Sequence, residues 1–122
     1  MKPRTRSTKQ EFERRLREAR REVFRTVAQT DVELDSLEAH QPGAFAEDAA
    51  TATVAMLLGK LEGRERHLLD EIAAAQARLA AGTFGACEAC AKPIRLERLR
   101  ALPTARLCIV CERQAEIEAP RA

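Results

Sequence analysis

The chain has 122 residues, of which a third are charged, and its 21 basic and 19 acidic side chains give a net charge of +2. Four Phe are its only aromatic residues, so a large globular core is not expected, while abundant Ala, Leu, Glu and Arg are typical of long helices and argue against disorder. The basic N-terminus lacks an apolar segment behind it, and the stretch AATATVAMLLG is too short to cross a bilayer. These features predict a cytoplasmic protein without membrane association.

The first predicted element is a long helix. Residues 1–7 are expected to form a flexible basic tail. Beyond them apolar residues recur three or four apart, the heptad-like pattern of a helix that packs along one face. The positions are Phe12, Leu16, Ala19, Val23, Val27, Thr30, Leu34 and Leu37. This pattern predicts one helix from about residue 8 to His40, ended by Pro42 and Gly43.

A second helix is predicted from about Phe45 to Ala81, with Gly82 as a left-handed stop. Its seam comprises Ala50, Val54, Leu57, Leu61, Leu68, Ile72, Ala75 and Leu79. Neither seam could be buried without the other, so residues 8–82 are predicted to form an antiparallel coiled-coil hairpin with its turn at 41–44. The predicted fold class is therefore all-α dominated, a long helical hairpin followed by a small four-cysteine finger.

Residues 83–118 are predicted to form that finger, with a short terminal helix from about Cys108 to Ile117 and a tail at 119–122. Its four cysteines follow the pattern C-x2-C-x17-C-x2-C and are Cys87, Cys90, Cys108 and Cys111. This spacing indicates a closed four-thiolate site for one structural zinc ion. A redox-active CxxC pair and two disulfides are the alternatives, of which disulfides are uncommon in a reducing compartment.

Charge is unevenly distributed along the chain. No Lys or Arg lies between Arg25 and Lys60, a stretch of 34 residues that contains six acidic ones. The rest of the chain carries 21 basic against 13 acidic residues, a net +8. The predicted hairpin therefore carries negative charge at its tip, around the turn, and positive charge at the opposite end, near the finger. Acidic residues in the first turn of a helix are stabilised by the helix dipole and need no binding partner. A functional role at the far end is therefore a hypothesis that is needed to explain only part of this acidic charge.

The stretch GTFGACEACAKPIRLERLRALPTARLCIVC resembles the zinc finger of the DksA/TraR family of bacterial transcription factors, and its length resembles the DksA-like branch. The shared positions are Gly85, Cys87, Cys90, Ile94, Arg98, Leu99, Ala101, Pro103, Thr104, Cys108 and Cys111. With the hairpin included, the resemblance extends over roughly residues 8–118. It implies a monomeric regulator that binds bacterial RNA polymerase, inserts its hairpin into the secondary channel with the tip toward the active site, and modulates initiation.

The resemblance also implies roles for residues outside the finger. The family's tip motif, D-x-x-D-x-A, falls on Ala44, Glu47 and Ala49, and Asp48 adds an acidic group beside it. Glu47, Asp48 and Ala49 are therefore the predicted polymerase tip. Arg64 matches one cation of the family's alarmone site and is predicted to contact the alarmone or the channel rim.

Two further positions of that site hold Glu71 and Glu112 instead of cations, so dependence on guanosine tetraphosphate is not predicted. In the first knuckle, Ala91 stands where the family commonly has Gly. No catalytic residue and no sequence-specific DNA binding are predicted.

Two other functions are compatible with the residues. One is a zinc-finger module that binds nucleic acid or protein without polymerase channel activity, although the chain lacks the aromatic residues common in nucleic-acid binders. The other is a thiol oxidoreductase, which would need an accessible cysteine of low pKa and is disfavoured if all four thiolates hold a metal. An enzyme is therefore not predicted.

Overall fold

The computed structural model describes residues 6–40 and 49–119, and within these ranges it contains helices and one isolated antiparallel bridge, between Ala86 and Pro93, but no strand. The helices are α1 (Arg6–Arg25), α2 (Asp31–Ala39), α3 (Ala49–Gly59), α4 (Gly63–Ala81), α5 (Leu96–Ala101) and α6 (Ile109–Glu118). The predicted all-α class is thus confirmed. The predicted turn at 41–44 lies outside the described residues.

The chain divides into two units, which are described separately. Unit 1 comprises Met1–Leu16 and Glu71–Ala122, and unit 2 comprises Arg17–Asp70. Among the helices of the described residues, none is long and apolar enough for a transmembrane span.

Unit 2 is organised around a hydrophobic cluster contributed by α1, α2 and α3. Its buried members are Phe24, Leu34, Leu37, Val54 and Leu57, with Val27, Ala28, Leu58 and Leu69 packed against it. Phe24 was not among the predicted seam residues. The guanidinium carbon of Arg20 lies over its ring, 4.5 Å from the ring centroid. Conversely, the prediction that Thr30 and Leu68 are buried in the seams is wrong, because Thr30 is exposed and Leu68 is 41% exposed.

The first predicted long helix is interrupted between α1 and α2. Thr30 is the N-cap of α2, and its hydroxyl accepts a hydrogen bond from the backbone N–H of Glu33 at 3.1 Å. The Glu33 carboxylate in turn accepts from the N–H of Gln29 at 2.8 Å. These contacts resemble a capping box, which stabilises a new helix start at the expense of continuing the old helix.

The second predicted long helix is interrupted between α3 and α4. The Glu65 carboxylate accepts a hydrogen bond from the N–H of Glu62 at 3.2 Å, so it caps the first turn of α4. The Thr26 side chain, whose hydroxyl donates to the Val23 carbonyl at 2.7 Å, also interacts with this carboxylate and, together with the Glu62 N–H, holds the pKa of Glu65 below its usual range. The two interruptions are therefore linked by the Thr26–Glu65 contact.

Unit 1 contains the end of α4 and its C-terminal cap. Gly82 has φ +79°, and its N–H donates to the carbonyl of Leu79 at 3.4 Å, while the N–H of Thr83 donates to the carbonyl of Arg78 at 2.9 Å. This is the hydrogen-bond pattern of a Schellman cap, in which glycine adopts the left-handed conformation without strain. The predicted stop at Gly82 is confirmed.

Adjacent residues of α3 provide a test of the unit 2 core. Leu57 is 1% exposed and Met56 is 56% exposed. Truncation of Leu57 to Ala leaves a cavity and should destabilise the protein by about 2–5 kcal/mol. Met56→Ala, on the same helix, should change stability by less than about 0.5 kcal/mol. Chemical denaturation measures both free energies, and equal losses would contradict the assignment of the core.

Candidate metal centre

The first cysteine pair lies in a knuckle held by backbone hydrogen bonds. The N–H of Cys87 donates to the carbonyl of Lys92 at 2.9 Å, and the N–H of Ile94 donates to that of Gly85 at 2.8 Å. These bonds fold the segment back on itself, and the N–H of Ala91 closes the turn onto the Cys87 carbonyl at 2.9 Å. Cys90 lies within this turn, so both thiols are presented on one side of the loop.

The second pair lies at the start of α6. Cys108 is the N-cap of this helix, and its carbonyl accepts the first helical hydrogen bond, from the N–H of Glu112 at 2.9 Å. Cys111 follows in the first turn. The Arg98 side chain donates to the carbonyl of Leu107 at 3.0 Å and so fixes the backbone immediately before the pair. The predicted terminal helix is confirmed, one residue later than expected at each end.

The two pairs converge on one point. The Sγ atoms of Cys87, Cys90, Cys108 and Cys111 all lie within 4.8 Å of one another, and those of Cys90 and Cys108 are 3.9 Å apart. A tetrahedral zinc with Zn–S bonds of ~2.3 Å would hold its sulfurs about 3.8 Å apart. The donor set and its spacing therefore fit one closed, structural zinc site, and none of the four cysteines forms a disulfide.

The thiols differ in how readily they ionise. Burial raises the pKa of Cys87, but backbone N–H groups at Cys108, Cys90 and Ala89 favour its thiolate and lower the pKa to about 6. Side-chain hydrogen bonding with Cys108, and then with Cys87 and Cys90, raises the pKa of Cys111 to about 12. Four thiolates at this spacing repel one another, so a divalent cation is required to stabilise the full set.

The finger also has a small apolar core that the sequence analysis did not identify. Phe84, Ile94, Leu99 and Ala105 are all buried, and the ring of Phe84 packs on that of Phe12 with centroids 5.0 Å apart. Gly85 has φ +86°, and a Cβ there would lie 3.6 Å from Leu99. Ile94, Leu99 and Ala105 lie between the two cysteine pairs in sequence, and Phe84 lies three residues before the first pair, so the metal and this core support the same loops.

Ion pairs connect the finger to helices of the same unit. Arg106 forms two hydrogen bonds with the Glu71 carboxylate of α4, at 2.9 and 3.2 Å, and a third with Glu88 at 3.1 Å. Arg100 of α5 forms two hydrogen bonds with Glu11 of α1, which lower the pKa of that carboxyl. Both arginine–glutamate pairs, Arg106–Glu71 and Arg100–Glu11, are bidentate, the geometry that makes such ion pairs most specific.

The remaining predicted site residues are not part of this cluster. Glu47 and Asp48 lie outside the described residues, and Ala49 is the first residue of α3. Arg64 lies in the first turn of α4, within unit 2, and is exposed. The roles of these four residues stay predictions.

Comparison with known proteins identifies the family. The model of the prokaryotic DksA/TraR C4-type zinc finger matches residues 82–116. The structure of transcription factor DksA2 from Pseudomonas aeruginosa superposes on 93% of the chain and 86% of that protein, with a TM-score of 0.62 and 30% sequence identity. The chain belongs to the DksA/TraR family. This match confirms the predicted fold class and, with the cysteine cluster, the single structural zinc.

Curated members of the family match part of the chain. The RNA polymerase-binding transcription factor DksA of Haemophilus influenzae is 46% identical over 54 residues, and that of Escherichia coli K12 is 44% identical over the same length. These matches cover 44% of the chain but only 37% and 36% of the two relatives. The activities and partners of those relatives therefore enter below as a proposal.

The backbone at Ala91 offers a test of the first knuckle. Ala91 has φ +64°, in the left-handed region where a side chain costs about 1–2 kcal/mol. Ala91→Gly removes this strain, so despite the flexibility of glycine we expect a gain of about 0.5–1 kcal/mol and slower release of zinc to a chromophoric chelator. Ala89→Gly, in the same knuckle without positive φ, should release zinc faster. If both substitutions changed the rate of zinc release in the same direction, the backbone strain assigned to Ala91 would be contradicted.

Proposed function

We propose that this protein is a zinc-containing regulator of bacterial transcription that binds RNA polymerase and has no catalytic activity of its own. The observation that carries the proposal is the likeness to DksA2 over 93% of the chain, combined with a 54-residue match to proteins named as RNA polymerase-binding transcription factors. In this proposal Cys87, Cys90, Cys108 and Cys111 ligate one zinc ion. The closed thiolate set supports a structural role, because a catalytic zinc keeps an open position.

In the finer form of the proposal, the protein is a monomer that enters the secondary channel with Glu47, Asp48 and Ala49 nearest the active site and modulates initiation. The acidic charge between Arg25 and Lys60 supports this orientation, since the catalytic centre of a polymerase contains magnesium. Of the acidic residues on α2, however, Glu33 caps the helix and Glu38 pairs with Arg21. The tip function therefore depends on Glu47 and Asp48 rather than on the whole acidic stretch.

The proposal does not include guanosine tetraphosphate as a required partner. Phosphate binding needs uncompensated cations. Glu71 and Glu112 stand at two positions where the resemblance implies cations, and the first is bound bidentately by Arg106 while the second lies 3.9 Å from Arg98. These ion pairs support an effect on transcription that is independent of the alarmone. Arg64, which is exposed, is proposed to contact the channel rim.

The test is a competition experiment combined with transcription in vitro. The zinc-loaded protein should displace labelled Haemophilus DksA from bacterial RNA polymerase, and it should alter initiation at a DksA-sensitive promoter with or without the alarmone. Glu47→Gln with Asp48→Asn keeps side-chain size but removes tip charge, so binding should stay near normal and the effect on initiation should fall. Ala44→Asp should increase that effect by restoring the acidic residue of the family motif.

The matched control neutralises two acidic residues of α2 instead. Asp31→Asn with Asp35→Asn also removes two charges, and it should leave both binding and the effect on initiation unchanged. Failure to displace DksA would refute the polymerase proposal as a whole. Equal loss of effect in the tip and control variants would refute the specific role of Glu47 and Asp48.

A further inference from the structure

Arg106 lies two residues before Cys108, yet its contacts reach the first cysteine pair. Its carbonyl accepts a hydrogen bond from the N–H of Glu88 at 2.9 Å, and its guanidinium donates to the Glu88 carboxylate at 3.1 Å. Glu88 itself lies between Cys87 and Cys90. Arg106 therefore joins the two segments that carry the cysteine pairs, through both its main chain and its side chain.

The direction of the Arg106 guanidinium is fixed by Glu71 of α4. The two carboxylate oxygens of Glu71 accept hydrogen bonds from Nε and Nη2 at 2.9 and 3.2 Å, and Nη1 is then directed to Glu88. A planar guanidinium that is held bidentately has little freedom to rotate. Ile72 and Ala75, close to Glu71 on α4, are buried, so its carboxylate is attached to a fixed part of unit 1. The contacts Glu71–Arg106–Glu88 thus extend from α4 to the first knuckle.

Charge gives a second reason for an arginine at this place. Four thiolates and one zinc ion leave two negative charges, and the Glu88 carboxylate adds a third between two of the ligands. Like charges so close together disfavour one another, so a cation beside Glu88 stabilises the assembly. Arg78 is also near, but its Nη1 is 4.0 Å from Glu88, beyond hydrogen-bond distance. Arg106, by contrast, binds this carboxylate directly.

Unit 1 contains a second ion pair of the same geometry. Arg100 of α5 binds both carboxylate oxygens of Glu11 at 3.0 and 3.2 Å, and its side chain is 46% exposed compared with 37% for Arg106. In the described part of the chain, neither Arg100 nor Glu11 forms a hydrogen bond or ion pair with residues 87–90 or 106–111. The two arginines therefore differ in their access to the cysteine-bearing segments more than in the kind of ion pair that they form.

We propose that Arg106 is a positioning residue of the zinc site, which holds the two cysteine pairs at the spacing that the metal requires, and that Glu71 acts through it. Groups that orient metal ligands from behind typically change metal affinity by about 10–100-fold when they are removed. Because the Arg106 side chain is 37% exposed, the lower end of this range is expected. The proposed docking on RNA polymerase is not needed for this role.

The test measures metal binding by the full-length protein in two ways. Competition with a chromophoric chelator gives the zinc affinity, which Arg106→Gln should reduce by about tenfold. Co²⁺ in place of zinc gives visible ligand-field bands whose energies depend on the arrangement of the sulfur ligands, and Arg106→Gln should shift these bands. Arg106→Lys keeps the charge but cannot bind Glu71 and Glu88 together in the same geometry, so its zinc affinity should lie between those of the unmodified protein and Arg106→Gln.

The matched control is Arg100→Gln, which removes one charge and one bidentate pair from the same unit and should leave both the zinc affinity and the Co²⁺ spectrum unchanged. Glu71→Gln should lower the zinc affinity alone but have no further effect when it is added to Arg106→Gln.

Equal losses of zinc affinity in Arg106→Gln and Arg100→Gln would show general destabilisation and overturn the proposal. An unchanged affinity and Co²⁺ spectrum in Arg106→Gln would also overturn it. Additive effects of the Glu71 and Arg106 substitutions would refute the action of Glu71 through Arg106.

Discussion

Four thiols within 4.8 Å of one another are the constraint on which the finger depends. The pKa of Cys111 is raised to about 12 by its sulfur neighbours, so the cluster cannot ionise completely unless a cation lies among the four atoms. The zinc therefore contributes folding free energy in addition to cross-linking the loops. The Phe84–Phe12 ring contact and the Arg106–Glu71 ion pair then connect this metal-stabilised segment to α1 and α4 within unit 1.

The sequence was sufficient to predict the fold class and the cysteine cluster because both depend on local spacing. Heptad periodicity identified buried positions such as Phe12, Leu16, Leu57 and Ile72, and the CxxC pairs identified four groups that meet in space. Gly82 was recognised as a helix stop because helices commonly end with a glycine in the left-handed conformation. These inferences needed no knowledge of tertiary contacts.

Other features could not be obtained from periodicity alone. The heptads continue across both helix interruptions, so they predicted continuous helices, although the T-x-x-E pattern from Thr30 to Glu33 was a visible signal for a new start. The Thr26–Glu65 contact joins residues 39 positions apart in the sequence and has no local signature. The burial of Phe24 depends in the same way on its neighbours in α2 and α3. The sequence showed Ala91 at a position where the family commonly has glycine. The structure gives the physical reason for that glycine, because the backbone there has a positive φ.

The zinc coordination supports the rest of the finger, and X-ray absorption at the zinc K-edge of the purified protein measures it directly. We expect one zinc per chain with four sulfur neighbours at ~2.3 Å and no nitrogen or oxygen ligand. Such a spectrum would support a closed site formed by Cys87, Cys90, Cys108 and Cys111. A first shell containing nitrogen or oxygen, or a folded finger without zinc, would contradict the dependence of the finger on four thiolates and one metal ion.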